Sequence, residues 1–287
     1  METIYRVVEK TITLDSFDDY IYLWLWGDVH RDAKSCDVDR WKLFLTKARK
    51  DDPEKTWYIG LGDYHDFASD REQKKLLKEG YALHETTLDT IHELVEKRNR
   101  AFASEIKQMN GRLLGLLDGN HNWTFPNGVT ASEDLANRMG CDHLGWICYF
   151  TIRIKIKNSN KAHNVDIVAC HGRGGGKRAG ASVNQVEDLK GIFPLADIYV
   201  MGHDHQLWVR PQDVLYKPHG FKGIKQKTQY LCRSGSFKKA YMPDKATYEV
   251  SGLFKPATLG ALKLRLGITR VQINGKDKLR PDIEATI

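Results

Sequence analysis

The chain has no stretch near the ~18 consecutive apolar residues of a membrane-spanning helix. Its opening, METIYRVVEK, lacks the apolar segment of a secretory leader. No CxxC pair occurs, and the five cysteines are odd in number. That argues against a disulfide framework and a cysteine zinc site, and for free thiols in a reducing compartment. Gly- or Pro-rich linkers, low-complexity tracts and repeats of about 20–50 residues are also missing, which sets aside tethered modules and solenoids. What remains is ordinary globular composition: 41% hydrophobic and 28% charged over 287 residues, enough for a sizeable core. The expectation is a single domain over residues 1–287, cytoplasmic (host cytoplasm if viral) and without a membrane contact.

Charge is unevenly spread. Residues 1–149 carry 20 Lys and Arg against 26 Asp and Glu, a net −6, whereas residues 150–287 carry 24 against 11, a net +13. A basic half can steer an anionic substrate; it is also what a solvated lysine-rich surface looks like.

Hydrophobic periodicity predicts strands at Ile4–Leu14, Tyr20–Trp26, Trp57–Leu61 and Leu113–Leu117, and helices at Val38–Arg49 and Ser132–Met139. A helical region fills Arg71–Asn110 and reads as part of an insertion at about 67–110 near the site. The second half is richer in strands: Trp146–Ile156, Val165–Cys170, Ile198–Met201, Leu207–Val209, Tyr230–Cys232 and Leu262–Leu266, with a helix at Ala181–Ile192. Alternating strands and helices followed by antiparallel strands predict an α/β fold of two packed mixed sheets flanked by helices. Trp24 and Trp26 alternate with Leu23 and Leu25 and are assigned to the core.

Oxygen and nitrogen donors gather in five short clusters, four of them directly after an apolar run. They are Asp28 and His30 in WGDVH, Asp63 in LGDYHD, Asn120 in DGNHN, His171 in ACHG, and His203 and His205 in MGHDH. Ligands in open α/β folds collect at the carboxyl ends of strands. With a period of two, Asp28 and His30 share a side, as do His203 and His205, while Cys170 points away from His171. A glycine beside each cluster lets backbone approach closely. Singly, a histidine after a strand is usually a hydrogen-bonded structural residue and a Gly-Asp pair a turn. Five such clusters in order, holding six of the eleven histidines, point to a two-metal centre.

The motifs DVH (28–30), GDYHD (62–66), GNH (119–121), His171 and GHDH (202–205) resemble the signature of the calcineurin-like metallophosphoesterase superfamily across about two-thirds of the chain. The resemblance implies a four-layer αββα sandwich. It also implies one metal on Asp28, His30 and His205, a second on Asn120, His171 and His203, and Asp63 bridging them. By the same resemblance His121 is the catalytic histidine beside the leaving group and Asp66 the carboxylate that orients it. A mixed His/Asp/Asn set suits two divalent ions, Mn²⁺ first, with Fe, Zn²⁺ or Ni²⁺ as alternatives. Phe67 stands where the protein Ser/Thr phosphatase branch has Arg, and Asn122 where many members have an acid, so the reading leans to phosphodiesterases and nucleases. HGRGGGKR together with GSF (235–237) is also similar to uncharacterised bacteriophage and prophage phosphoesterases.

After His171, glycines and the start of a helix offer backbone N–H groups to an anion, and Arg173, Lys177 and Arg178 add charge. These three are the expected substrate-binding residues, for a phosphate ester such as a nucleotide or nucleic acid; a mobile basic surface loop would read the same. His65 matches no ligand position, and His84 and His92 fall on the helical region, where a solvent or helix-packing role is the simpler one. Two other readings are a non-catalytic scaffold and a nucleic-acid-binding module of the same fold. Residues 206–287 beyond GSF carry no functional motif.

Overall fold

Leu23 and Leu25 turn one way along the strand Tyr20–Trp26, Trp24 and Trp26 turn the other, and all four are buried. A strand apolar on both faces has to be covered on both faces, and the architecture follows from that. The computed structural model describes residues 7–79, 85–174, 178–218, 220–243, 248–273 and 276–286. In chain order the elements are β1 (Val7–Leu14), β2 (Tyr20–Trp26), α1 (Val38–Lys50), β3 (Thr56–Gly60), α2 (Asp70–Glu79) and α3 (Glu85–Ile106). Next come β4 (Leu113–Leu116), α4 (Ala131–Met139), β5 (Asp142–His143), β6 (Ile147–Ile156), β7 (Ala162–Cys170) and α5 (Ala179–Ile192). The chain continues with β8 (Ile198–Met201), β9 (Leu207–Tyr216), β10 (Lys225–Ser234), α6 (Tyr248–Ser251), β11 (Leu262–Ile273) and β12 (Lys276–Thr286).

Two six-stranded mixed sheets result, ordered β1-β6-β7-β8-β10-β9 and β12-β11-β2-β3-β4-β5. Leu23, Leu25 and Ile59 of one meet Ile152, Ile167 and Val200 of the other in the layer between them. On the outer face of the second sheet, Trp24 and Trp26 pack on Trp41 and Phe44 of α1, Phe102 and Ile106 of α3, and Leu135 of α4. On the outer face of the first, Val168, Cys170, Tyr199 and Leu231 pack on Val186 and Leu189 of α5. This is the two-sheet α/β sandwich that the sequence motifs imply.

Local signals set the helix ends. Asp37 caps α1 by accepting from Arg40 N–H at 3.0 Å, and Thr130 caps α4 by accepting from Glu133 N–H at 3.1 Å. Gly140 closes α4 in the left-handed conformation at φ 61°. The helical region expected over 71–110 comprises α2 and α3, followed by a 3₁₀ turn at Lys107–Met109; residues 80–84 between the helices, with His84, lie outside the described residues. The region is part of the helical layer, since Phe102 and Ile106 of α3 belong to its core. β5 and β12 were not expected. β5 has only two residues, and β12 is a charged edge strand that tolerates Pro281 because one side of its ladder is open. All five cysteines are free thiols. Among the described residues, no helix is long and apolar enough to cross a membrane.

Candidate metal centre

β2, β3 and β4 run parallel in one sheet and β7, β8 and β10 in the other. Their carboxyl ends meet across the seam between the sheets. Leu61 O accepts from His171 Nδ1 at 2.7 Å, and Asp28 Oδ2 accepts from His203 N–H at 2.8 Å. The loop after β2 is knitted to the loop after β3 by Asp28 N–H to Gly62 O (3.0 Å) and by Val29 and His30 N–H to Asp63 O (2.9 and 3.0 Å). From the end of β10, Phe237 N–H and Ser236 Oγ both donate to Asp28 O at 2.9 Å.

These short loops force unusual backbone. Among the described non-glycine residues with positive φ are Asp28 (47°), His30 (44°), Asp63 (48°), His203 (72°) and His205 (58°), five of seven. Strain of this kind collects where function over-determines the chain. Gly202 is required by close approach, since a Cβ there would lie 2.7 Å from Asp28 Oδ2.

The donors form three interlocked groups: Asp28, His30 and His205; His30, Asp63 and His121; and Asp63, His171 and His203. Within each group the ligand atoms lie within 4.8 Å of one another. Asp63 Oδ1 is held by His121 N–H at 2.9 Å. Its Oδ2 faces His171 Nε2 at 3.4 Å and His30 Nε2 at 3.7 Å, between two groups. Asn120 Oδ1 lies 2.7 Å from His203 Nδ1 and 3.0 Å from His171 Nε2, so it converges with the third group. His205 Nε2 is 3.5 Å from Asp28 Oδ1.

A cation fits this donor set. His171 Nδ1 donates to a carbonyl and His30 Nδ1 to Asp66 Oδ1 at 2.7 Å, which turns Nε2 of each ring inward, where it offers a lone pair once the ring is neutral. His30 Nε2 and Asp28 Oδ1 are buried without a hydrogen-bond partner, the condition of ligand atoms whose partner is an ion. Burial alone would raise the Asp28 and Asp63 carboxyls; His205 beside the first, and His171 and His30 beside the second, hold both below the usual range. Burial also opposes charge on His171, but the Asp63 carboxylate overrides it and pushes that ring up to about 9. Burial, then the charge of His171, pushes His203 down to about 4. Carboxylates that draw a proton onto a buried imidazole supply the field for a metal ion in its place.

All seven expected ligands therefore meet at one seam. Asp66 hydrogen-bonds His30, and its Oδ1 is 3.6 Å from His121 Nδ1. His121 Nδ1 instead donates to Phe67 O at 3.0 Å. Burial would raise the Asp66 carboxyl, but His30 and Lys238 hold it well below the usual range. The expected anion loop is placed differently. Arg173 is exposed, 3.9 Å from Asp188, Arg178 is exposed at the start of α5, and Lys177 lies outside the described residues. A cleft of about 1100 Å³ opens over the ligands and takes Gly174 from this loop, while its wall cations are Lys34, Lys238 and Lys255. His65 is buried and stacked on Phe67 at 4.6 Å, and His92 packs edge-on against Trp123 at 5.8 Å. Asn122 binds Asp118 at 2.7 Å and accepts from Ser132 N–H at the start of α4, a structural role.

Two features escaped the sequence reading. Lys238 reaches the cleft, with Nζ 3.5 Å from Asp66 Oδ1. Arg233 is fully buried beneath the 202–205 loop, with Nε 3.2 Å from Asp204 Oδ2 and donations to Gly202 O and Ser182 O. Asp204 also accepts from the Ser182 hydroxyl, and burial raises its carboxyl against the pull of Arg233. The signal for both was present: β10 ends in Arg233-Ser234 and runs on into GSFK, a strand followed by glycine like four of the ligand clusters.

No family model matches the chain, and no curated protein matches it. Among solved structures it is similar to Vacuolar Protein Sorting 29 from Cryptosporidium parvum, at 12% identity and a TM-score of 0.37, over 93% of this chain and 99% of the other. It is also similar to a conserved uncharacterized protein (predicted phosphoesterase) from Streptococcus pneumoniae, at 9% identity and a TM-score of 0.32, over 92% and 99%. Likenesses this distant carry no argument about this chain.

Proposed function

We propose that the chain is a dinuclear metal-dependent phosphoesterase. One observation carries the reading: Asp63 stands between two donor groups, Asp28/His30/His205 and Asn120/His171/His203, whose inward atoms include the orphaned Asp28 Oδ1 and His30 Nε2. Two divalent ions held by these residues, Mn²⁺ first, would supply Lewis acidity at the phosphate and would acidify a water.

The chain's own residues then have distinct tasks. Asp66 fixes the ring of His30 through Nδ1 and so presents Nε2 to the first position. Leu61 O does the same for His171 at the second. His121, with Nδ1 spent on Phe67 O, turns Nε2 to the cleft, where a proton held on it faces the departing ester oxygen. The open cleft above the buried Asp28, His30, Asp63 and His171 admits the ester. The cations on the wall favour a nucleotide or nucleic-acid ester over a neutral partner.

The test is hydrolysis of bis-p-nitrophenyl phosphate with Mn²⁺, together with metal analysis of protein prepared without chelator. Wild type is expected to carry about two ions per chain and to turn over. Asp63→Asn loses both properties, and His121→Ala loses turnover but keeps its metal. Full activity in Asp63→Asn removes the mechanism, and a metal-free wild type favours the scaffold reading.

A further inference from the structure

Besides the donor groups, the cleft is walled by Ala240, Met242, Phe254 and Ala257, with Lys255 and, next to Asp66, Lys238. A phosphate bound at the metals needs none of these apolar groups, and it fills a small part of about 1100 Å³. That volume is at the upper end of small-molecule sites, which run to about 1,000 Å³.

From this we infer that the apolar-walled part of the cleft is a nucleoside subsite, in which Phe254 and Met242 contact the base of a nucleotide ester while Lys238 and Lys255 face its anionic groups. The inference rests on the phosphoesterase reading and names the part of the substrate that the metal centre does not hold. An apolar wall set among cations asks for a ligand with flat apolar faces and negative charge. Base–aromatic stacking beside lysines is how single-stranded nucleotides are commonly gripped, and a Met thioether packs well on a ring.

The subsite is built onto the metal loops. Thr258 N–H donates to His205 O at 2.8 Å, Gly260 N–H donates to Ser236 O at 2.8 Å, and Gln206 Nε2 donates to Pro256 O at 3.1 Å. The Tyr241 hydroxyl donates to Phe254 O at 2.7 Å and ties the two segments of the wall together. Beside Phe254, Leu253 is held at φ 52° although 78% exposed, a left-handed conformation that a bulky side chain rarely adopts. Its strained backbone directs the chain into the cleft at Phe254 while its own side chain faces solvent.

The experiment is calorimetric titration of Mn²⁺-loaded protein with inorganic phosphate, phenyl phosphate and adenosine 5′-monophosphate. The expected result is that the nucleotide binds on the order of tenfold more tightly than either other probe, the gain that one stacked base supplies. Phe254→Ala, which empties the wall, and Ala257→Phe, which fills the space, should each remove that gain and leave phosphate affinity within about twofold; the phosphate affinity also reports that each variant is folded. The inference is overturned if wild type binds the nucleotide no better than phosphate or phenyl phosphate, or if both variants keep the gain. If phosphate itself does not bind, the phosphoesterase reading fails and takes the subsite with it.

Discussion

Gly119 offers the sharpest test of how closely the centre is packed. A Cβ at this position would lie 2.0 Å from Asp63 Oδ1 and 2.3 Å from Asp63 N, where ordinary contact begins at 3.4 Å, a deficit of about 1.4 Å. The φ of Gly119 falls outside the left-handed range, so alanine meets the obstacle of space alone. One colliding atom is backbone, and the other, the carboxylate oxygen, is pinned by His121 N–H. In Gly119→Ala, therefore, either the Asp63 carboxylate or the 118–121 loop moves, and the bond from His121 N–H to Asp63 Oδ1 is lost. Misplacement by ~1 Å costs a reacting geometry about 10²-fold, whereas overpacking one methyl costs the fold only about 1–3 kcal/mol. The expected outcome is a kcat on bis-p-nitrophenyl phosphate lowered about a hundredfold or more at saturating Mn²⁺, with fewer bound ions and a modest fall in the urea midpoint. Gly191→Ala in α5, where a Cβ meets nothing within 4 Å, is the control and should leave activity unchanged. If Gly119→Ala keeps its full metal content and activity within about threefold of wild type, Asp63 is not where the chemistry needs it, and the packing argument fails.

Three further outcomes are expected. Arg233→Ala leaves Asp204 buried without its cation and should cost about 3–5 kcal/mol in urea unfolding; a loss below about 1 kcal/mol would mean the pair behaves as a solvated surface pair and refute the burial argument. The Asp118 hydrogen bond raises the His143 imidazole, with burial pulling the other way. The folded ring thus holds its proton more tightly than the unfolded one. That stabilisation is complete below about pH 6.5 and disappears as pH rises through the raised folded value. Unfolding midpoints of wild type and His143→Ala should converge toward alkaline pH, and parallel curves would refute the linkage. Finally, chelator-stripped protein should melt higher on adding Mn²⁺, by about 2.7 kcal/mol of stability at a hundredfold excess over Kd, and Asp63→Asn should not respond.

The site was legible in the sequence because its ligands are local words: a strand, a glycine, then one or two donors. Each word is fixed by short-range backbone geometry, and the parallel strands do the assembly. What could not be read depends on contacts between remote segments. The partner of Asp66 is settled by where His30 arrives, 36 residues earlier, and sequence spacing has no access to that distance. Arg173 lay beside a ligand in sequence, yet its side chain turns to Asp188 and solvent. Lys238, directly after GSF (235–237), is carried to the cleft by β10, whose parallel pairing with β8 could not be inferred from its polar first half. The fold's inner strands announced themselves by apolar runs, whereas β12 is half polar and charged, and an edge strand needs only one covered face.

The ligands come from both sides of the seam. Asp28, His30, Asp63 and Asn120 follow strands of one sheet, and His171, His203 and His205 follow strands of the other. An ion held by Asp28, His30 and His205, or by Asp63, His171 and His203, is thus a rivet through two plates. If two ions are held there, their spacing would depend on how Ile59, Ile167, Val200 and their neighbours fill the layer between the plates. A methyl group removed from that greasy layer, far from any substrate, would let the plates settle and would be felt as a change in catalytic rate before it was felt as a loss of fold.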